Sequence, residues 1–460
     1  MRVRTKESFF RRLLPLLLLV TLPAAVEAQY YFTPNNGAIT ITGYYGPGGA
    51  ETIPSTINVG GVNLPVTTIG VGAFKYLTNL TSMVIPNSIT NIGYMAFAIC
   101  TSLTSVSIGT NVTSIEREAF QGCTGLTNIV MPSSVSNIGY MAFDSCFSLS
   151  SVTISNAVIN IGNYAFADCT SLTSATIGTN VTSIGDYTFA HCYNLTGVVI
   201  PTSVTTIGDG AFLFCTSLTS ITIPNGVTNI GIGTFSNCTN LTSVVIPNSV
   251  INIRDSAFNQ CYNLTSVIIP NSVTSIGNNT FESCTRLANV TIPNSVTTIG
   301  AEAFAICTSL ISVTIGTGVT YIGDYAFWVC TSLRGVYFWG NAPNLGGSYV
   351  FTADNNATVY YLPGTTDWGL KFQPAGRPMA LWFLPNPLVL YCNSFGVQSN
   401  VFGFIISWAT NIPVVVEART NPANHSWSPV STNNLTSGWC YFSDPQWTNY
   451  PACFYRLRSP

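Results

Sequence analysis

Apolar positions along residues 66–338 repeat with a strict period of 23 residues. The period is marked by phenylalanine at Phe74, Phe97, Phe120, Phe143, Phe166, Phe189, Phe212, Phe235, Phe258, Phe281, Phe304 and Phe327. From the second copy onward a cysteine follows each phenylalanine by three residues, which gives eleven cysteines from Cys100 to Cys330. A period in this range is typical of a solenoid, in which each turn buries its apolar side against its neighbours.

The copy at 204–226 shows which elements one turn should contain. Ile221 and Ile223 alternate with polar residues, as expected for a short strand that points both isoleucines inward. The residues around Phe212 are predicted to form a short helical or 3₁₀ turn with the aromatic ring inside. We therefore expect twelve stacked turns, each with one short parallel strand, and one buried column of phenylalanines.

The repeat consensus, V-T-x-I-G-x-x-A-F-x-x-C-x-x-L-T-x-V-x-I-P, resembles that of the BspA-like leucine-rich repeat family. One copy carries it in Ile230, Gly231, Phe235, Cys238, Leu241, Val244, Ile246 and Pro247. The lead-in at 37–43, followed by Ile53 and Pro54, is similar to that family's N-terminal cap. The resemblance covers roughly residues 30–382. It implies a secreted or surface protein, often linked to adhesion and protein binding, without family-wide catalytic residues.

The predicted fold class is an α/β-type solenoid, a leucine-rich repeat coil with caps at both ends and a small all-β module. Its segments are a signal peptide at 1–28, an N-terminal cap at 29–65, the twelve-copy array at 66–338, a C-terminal cap at 339–382 and a β-sandwich-like module at 383–460. The signal peptide is indicated by a basic start and an apolar run from Leu13 to Leu22. This run is too short for a membrane span, which needs about 20 apolar residues. We therefore expect a secreted or cell-surface protein.

The composition limits which ligands, disulfides and metal sites the chain can have. Charged residues make up only 7% of the chain and the formal net charge is -2, so no strong field would attract nucleic acid. The array cysteines are expected to be buried thiols, because stacked equivalents lie about 4.8 Å apart whereas bridged Cβ atoms lie about 3.8 Å apart. Outside the array are Cys392, Cys440 and Cys453, of which the last two are the most plausible bridge. With only two histidines, neither a metal site nor a cofactor is predicted.

Candidate catalytic groups are scarce. Asp186 and Asp209 occupy the same position in adjacent copies, and a hydrolase with paired carboxylates is one interpretation. A solvated corner is the other, and it is favoured because Asn163 and Asn278 occupy the same position in other copies. His191 has no accompanying nucleophile-elbow sequence. The sequence therefore predicts no catalytic residues and no enzyme activity.

The leading interpretation is an exported, non-enzymatic scaffold for protein–protein interaction or cell-surface adhesion. A carbohydrate- or cell-wall-binding surface protein is the alternative, and a polysaccharide-acting enzyme is a remote one. A protein or glycan partner is expected to dock where aromatic and basic residues concentrate, at Tyr321, Tyr325, Trp328, Arg334, Tyr337 and Trp339. The identity of the ligand, the mode of anchoring and the oligomeric state do not follow from the sequence.

Overall fold

A computed structural model describes residues 29–372, 376–382, 388–390, 395–398, 401–407, 413–420, 427–436, 439–449 and 454–458. The chain forms two compact units, Met1–Ser249 and Val250–Pro460. The predicted signal peptide at 1–28 lies outside the described residues, as do Cys392 and Cys453. No helix within the described ranges has the length and apolarity needed to cross a membrane.

In the first unit, short parallel strands from successive turns pair in register and form what we call the long-strand ladder. The central residue of each strand points inward and its neighbours point outward, so Val106 is buried between exposed Ser105 and Ser107. Equivalent residues of adjacent turns are direct partners, as Val106 is of Ile129. The strands are Gly49–Thr52, Leu80–Val84, Ser105–Ser107, Asn128–Val130, Ser151–Thr153, Ser174–Thr176 and Gly197–Val199, followed by the pair Ser220–Thr222 and Ser243–Val245.

Each turn also contributes to a second sheet, the short-strand ladder, so the expectation of one strand per turn is wrong. The inward isoleucine of the sequence T-x-I-G, such as Ile184, is buried in this ladder. The array strands of this ladder from Asn91 onward are only two residues long, because the chain turns at the corner that follows them. In the first unit the ladder comprises Tyr30–Asn35, Ala38–Tyr44, Val62–Ile69, Asn91–Ile92, Ser114–Ile115, Asn137–Ile138, Asn160–Ile161, Ser183–Ile184 and Thr206–Ile207, with Thr56–Val59 antiparallel to Val62–Ile69 and a further strand at Asn229–Ile230.

The second unit contains the same two ladders and a separate module. Its short strands are Asn252–Ile253, Ser275–Ile276, Thr298–Ile299, Tyr321–Ile322 and Asn344–Leu345. Its long strands are Asn289–Ile292, Ser312–Ile315, Gly335–Phe338, Thr358–Tyr361 and Met379–Leu381. A four-residue helix, Trp368–Lys371, lies near the end of the coil.

The described residues of the C-terminal module form two antiparallel sheets, which agrees with an all-β module there. One antiparallel sheet contains Leu388–Leu390, Gly396–Gln398, Val401–Ser407 and Trp439–Asp444. A second contains Pro413–Arg419, Ser428–Asn434 and Phe454–Arg458, and a 3₁₀ turn covers Trp447–Asn449. The core between them is formed by Phe404, Ile406, Val414, Val416, Leu435 and Phe442.

The phenylalanines form a buried, stacked column in each unit, which confirms the central prediction. From Phe74 to Phe235, neighbouring ring centroids lie 4.9–5.6 Å apart and the ring planes differ by 2–14°. In the second unit the column runs from Phe258 and continues to Phe351. Tyr44 covers the open face of Phe74 at 5.5 Å, so the N-terminal strands cap the column.

The segment around each phenylalanine is a series of turns, so the predicted helical element is wrong. Two residues before and two after Phe189, Tyr187 and His191 adopt left-handed φ angles of 54° and 59°. Every second N–H then donates to the next turn, as from Phe189 to the carbonyl of Ala211 at 2.9 Å, while Ala190 bonds locally to Tyr187. A helix would instead keep all of these bonds within one segment.

Candidate functional site

At the corner after several of the short strands, an aspartate carboxylate binds main chain. Asp186 Oδ1 accepts the N–H of Asp209 at 2.9 Å, and Asp209 Oδ1 accepts the N–H of Ile232 at 2.7 Å. Asn163 does the same for Asp186 with its amide oxygen. Glycine at position 208 leaves space for the Asp186 carboxylate, because a Cβ there would lie 2.4 Å from Asp186 Oδ1. Where this position holds aspartate or asparagine, the side-chain oxygen thus binds the main chain of the next turn, whereas other copies carry residues such as Val71, Tyr94 and Ile232 there.

His191 meets a carboxylate, but the arrangement differs from a nucleophilic triad. Its Nδ1 lies 3.1 Å from Asp168 Oδ1. The other ring contacts that the structure describes are aromatic, with Phe214 edge-on at 5.1 Å and Tyr193 at 5.9 Å. A triad would place a serine or cysteine against the second imidazole nitrogen. The thiol of neighbouring Cys192 is buried and donates to a carbonyl instead.

The array cysteines are buried, unbridged thiols, as predicted. From Cys100 to Cys238, each Sγ donates to the carbonyl of the phenylalanine 26 residues earlier, at 3.1–3.3 Å. Burial raises the pKa of Cys238 to about 12, and it also raises the pKa of Cys123, Cys146, Cys169, Cys192 and Cys215. A protonated, inaccessible thiol is a poor nucleophile, so the column is structural. The described residues contain no group of three or more His, Cys, Asp or Glu side chains placed to hold a metal ion.

Asp354 takes the place of the cysteine in the turn that begins at Phe351, and sequence reasoning missed it. Its N–H bonds the carbonyl of Phe351, as each array cysteine bonds its own phenylalanine. The carboxylate is fully buried, and neither oxygen has a hydrogen-bond partner. Arg377 Nη1 donates to the main-chain carbonyl of Asp354 at 2.8 Å. Burial raises the pKa of Asp354 to about 7, although the charge of Arg377 opposes this shift.

The six residues predicted to bind a partner lie on three different parts of the turn. Tyr325 and Trp328 flank the phenylalanine column, with their rings 5.9 Å apart. Tyr321 lies in the short-strand ladder, where it is exposed. Arg334, Tyr337 and Trp339 lie in or beside the strand Gly335–Phe338.

Tyr337 and Trp339, the two aromatic residues on the strand side, both pack against Trp382. Its ring lies 5.0 Å from that of Tyr337 and 5.1 Å from that of Trp339. Trp339 and Trp382 also pack against Leu362 of the coil and Ile405 of the C-terminal module. Part of this aromatic surface therefore packs against other residues of the second unit. The role of the six residues in partner binding stays a prediction.

A second aromatic surface, in the first unit, was missed by the sequence analysis. The Arg117 guanidinium lies 5.6 Å from the Tyr94 ring and 5.0 Å from the Tyr140 ring. The stack continues through Tyr164 to Tyr187, whose rings are 4.8 Å apart. All five stand two or three residues before a column phenylalanine, so aligning the copies by position would have found them.

The outward face of the long-strand ladder in the first unit is uncharged over its whole length. The outward residues are Ser82, Val84, Ser105, Ser107, Asn128, Val130, Ser151, Thr153, Ser174, Thr176, Gly197, Val199, Ser220, Thr222, Ser243 and Val245. Val130 is 69% exposed, Val199 82% and Val245 59%. Val199 also lines a hollow of about 370 Å³ with Ile177 and Pro201 at the strand ends. This face, from Ser82 to Val245, is called the strand face below.

The chain is similar to several solved structures. A leucine-rich repeat protein from Bacteroides ovatus is 29% identical and superimposes with a TM-score of 0.60 over 77% of this chain and 97% of that one. A leucine-rich cell surface protein from Faecalibacterium prausnitzii is 33% identical, with a TM-score of 0.49 over 68% of this chain and 94% of that one. The pneumococcal vaccine antigen PcpA, 17% identical with a TM-score of 0.51 over 77% and 97%, shares the fold. No curated protein sequence matches the chain.

The family model for the BspA-type leucine-rich repeat region provides the assignment by sequence. It matches residues 55–173, 137–265 and 251–366, which together cover well over half of the chain. The matched region contains the phenylalanine columns, the buried thiols and both strand ladders. The chain therefore belongs to the BspA-type leucine-rich repeat family.

Proposed function

We propose that this chain is an exported, non-enzymatic scaffold whose array binds a protein partner, either as an interaction platform or in cell-surface adhesion. The observation that carries the proposal is the strand face, an ordered surface without a charged side chain. Solenoids present such extended faces to partners. Neutral surfaces with protruding aliphatic side chains favour partners that bury apolar area over partners recognised by charge.

Val199 is the best candidate for an anchor. It is the most exposed aliphatic side chain of the strand face and stands beside the hollow that Ile177 and Pro201 also line. Binding energy usually concentrates in a few central side chains that fit pockets. Because Val199 and the hollow lie side by side, a partner side chain could fill the hollow while covering the valine.

The experiment uses the chain without residues 1–28 on an array of purified extracellular proteins. Val199→Asp places a charge on the strand face, whereas Val71→Asp is the matched control, since Val71 is 68% exposed in the turn before Phe74. We expect binding that is lost with Val199→Asp and retained with Val71→Asp. Equal binding by both variants would mean that the strand face is not the interaction surface.

The non-enzymatic part of the proposal has its own test. The carboxylates of Asp186 and Asp209 hold backbone N–H groups, which leaves them a structural role. On a panel of polysaccharides we expect no turnover. A turnover that disappears in folded Asp209→Ala would contradict the scaffold and favour the paired-carboxylate hydrolase.

Export is tested at the N-terminus of the secreted protein. The basic start and the short apolar run favour cleavage after Ala28. Sequencing the N-terminus of protein recovered outside the cell should find residue 29 first. A mature chain that retains the apolar run would indicate an anchored protein.

A further inference from the structure

The basic residues of the C-terminal module all lie on one face of one sheet. After Arg377 the chain has three basic residues, Arg419, Arg456 and Arg458. Arg419 is on the strand Pro413–Arg419, and the other two are on its antiparallel partner Phe454–Arg458. Side chains two residues apart on a strand share a face, so Arg456 and Arg458 project together, roughly 7 Å apart along the strand. The opposite face of this sheet packs into the module core through Val414 and Val416.

One carboxylate and one aromatic ring hold these arginines in place. Glu417, only 7% exposed, accepts Nε of Arg456 at 2.7 Å and Nε of Arg458 at 3.0 Å. These two arginines hold the pKa of Glu417 below its usual range, so the carboxylate is charged at neutral pH. The guanidinium groups of Arg419 and Arg456 lie over the Trp427 ring, 4.4 Å and 4.6 Å from its centroid. The cations are therefore ordered before any ligand arrives, which lowers the entropy cost of binding.

Among the described residues, this face carries three arginines and one acid. Arg456 and Arg458 bind Glu417, whereas Arg419 lies over the Trp427 ring. The module's other acid, Asp444, accepts a hydrogen bond from Tyr455, whose ring packs against the core. Arg456 and Arg458 remain 48% and 49% exposed while bound to Glu417. The whole chain, by comparison, has a formal net charge of -2. The face is thus a localised positive surface in a nearly neutral protein.

We propose that this arginine face docks the protein onto an anionic polysaccharide. Cations spaced along neighbouring strands match anionic groups that repeat along a polymer, and guanidinium groups bind sulfate, phosphate and carboxylate oxygens well. A lipid surface fits less well, because the module's tryptophan on this face is stacked between guanidinium groups and is not available to insert. The proposal does not depend on what the array binds.

The test measures binding of the chain without residues 1–28 to immobilised dextran sulfate, with uncharged dextran as the matched surface. We expect binding to dextran sulfate alone, with an affinity that falls as salt rises. Arg456→Gln and Arg458→Gln should each weaken binding about two- to fivefold, as for exposed ion pairs. Arg286→Gln, which removes an exposed charge from the array, should leave the affinity unchanged.

Glu417→Gln separates docking from a purely structural role. Removing the carboxylate makes the face more positive, so binding to dextran sulfate should tighten by about the same factor. If Glu417→Gln weakens binding as the arginine variants do, the arrangement is only a structural clasp and the proposal is wrong. Should Arg456→Gln fail to fold, Arg458→Gln carries the test, and an unchanged affinity for dextran sulfate in that variant would overturn the proposal. Two other results would also overturn the proposal: equal loss with Arg286→Gln, or tighter binding to anionic phospholipid vesicles than to dextran sulfate.

Discussion

Replacing Asp354 should stabilise the end of the coil at neutral pH and remove a pH dependence. The carboxyl group is fully buried without a hydrogen-bond partner, and its pKa is raised to about 7. A raised pKa means that the folded state prefers the protonated acid. The destabilisation is therefore absent below about pH 4, grows as the pH rises towards 7 and is complete above it. A shift of about three pKa units corresponds to roughly 4 kcal/mol as an upper bound, and about 2–4 kcal/mol is expected.

Two replacements test the origin of this effect. Asp354→Asn keeps the size of the side chain without the charge, and Asp354→Cys restores the residue found at this position from Cys100 to Cys330. Both variants should have nearly flat stability between pH 4.5 and 7.5, whereas the parent should lose stability over that range. The titratable groups that face Asp354 in the described residues are the Arg377 guanidinium and the buried, protonated thiol of Cys330. Arg377→Gln removes the cation that opposes the rise in the pKa of Asp354. In this variant the free energy of unfolding should therefore fall more steeply as the pH rises.

The measurement is urea unfolding of the chain without residues 1–28, at several pH values. Hydrogen exchange at the Ala357 amide adds a local readout, because this N–H bonds the carbonyl of Asp354 at 3.0 Å. Parallel pH profiles for the parent and Asp354→Asn would refute the reasoning. They would show that the carboxylate finds solvent or a partner when it ionises.

Three further outcomes follow from the array. Phe212→Ala leaves a cavity between stacked rings and should lower the free energy of unfolding by about 3–5 kcal/mol in urea titrations, with a separate transition for part of the first unit. Asp209→Ala removes the acceptor for the Ile232 N–H and should lower that free energy by about 1 kcal/mol, whereas Asp209→Asn should leave it within about 0.5 kcal/mol; equal losses would assign the effect to charge. Thiol titration of denatured, unreduced protein should find the eleven array cysteines free, and fewer than six free thiols would contradict the buried-thiol column.

The features that depend on the period could be read from the sequence, and those that depend on backbone conformation could not. The column of phenylalanines and the buried thiols follow from residue type and spacing alone. The sequence predicts a short helical or 3₁₀ turn in this segment, because Tyr187 and His191 do not signal left-handed φ angles, which are usual only for glycine and asparagine. Their conformation is set by hydrogen bonds to the next turn, which connect residues far apart in sequence.

The candidate sites were predicted less well, for a geometric reason. Neighbours in sequence within a 23-residue turn point to different sides of the coil, so the concentration of aromatic residues from Tyr321 to Trp339 does not form one patch. Residues that share a surface are instead those at equivalent positions in successive turns. The stack from Tyr94 to Tyr187 obeys that rule, and Asp354 becomes visible only when the last turn is aligned with the cysteines. The segment boundaries stay predictions, whereas the predicted Cys440–Cys453 bridge is wrong, because Cys440 is an unbridged thiol in the structure.

The bonds between turns also bear on how such a chain can change over evolutionary time. Corner carboxylates reach 23 residues along the chain and the thiols reach 26, and the main-chain bonds beside each phenylalanine keep a similar fixed offset. Duplication or loss of one whole 23-residue unit leaves all of these offsets intact at the junction. An insertion of one residue would shift every offset that crosses it. Phe327 and Phe351 are separated by one residue more than the period, and this interval lies at the last full turns of the column. Gene copies that differ by recombination should therefore vary in length in steps of 23 codons, with irregular steps confined to the ends.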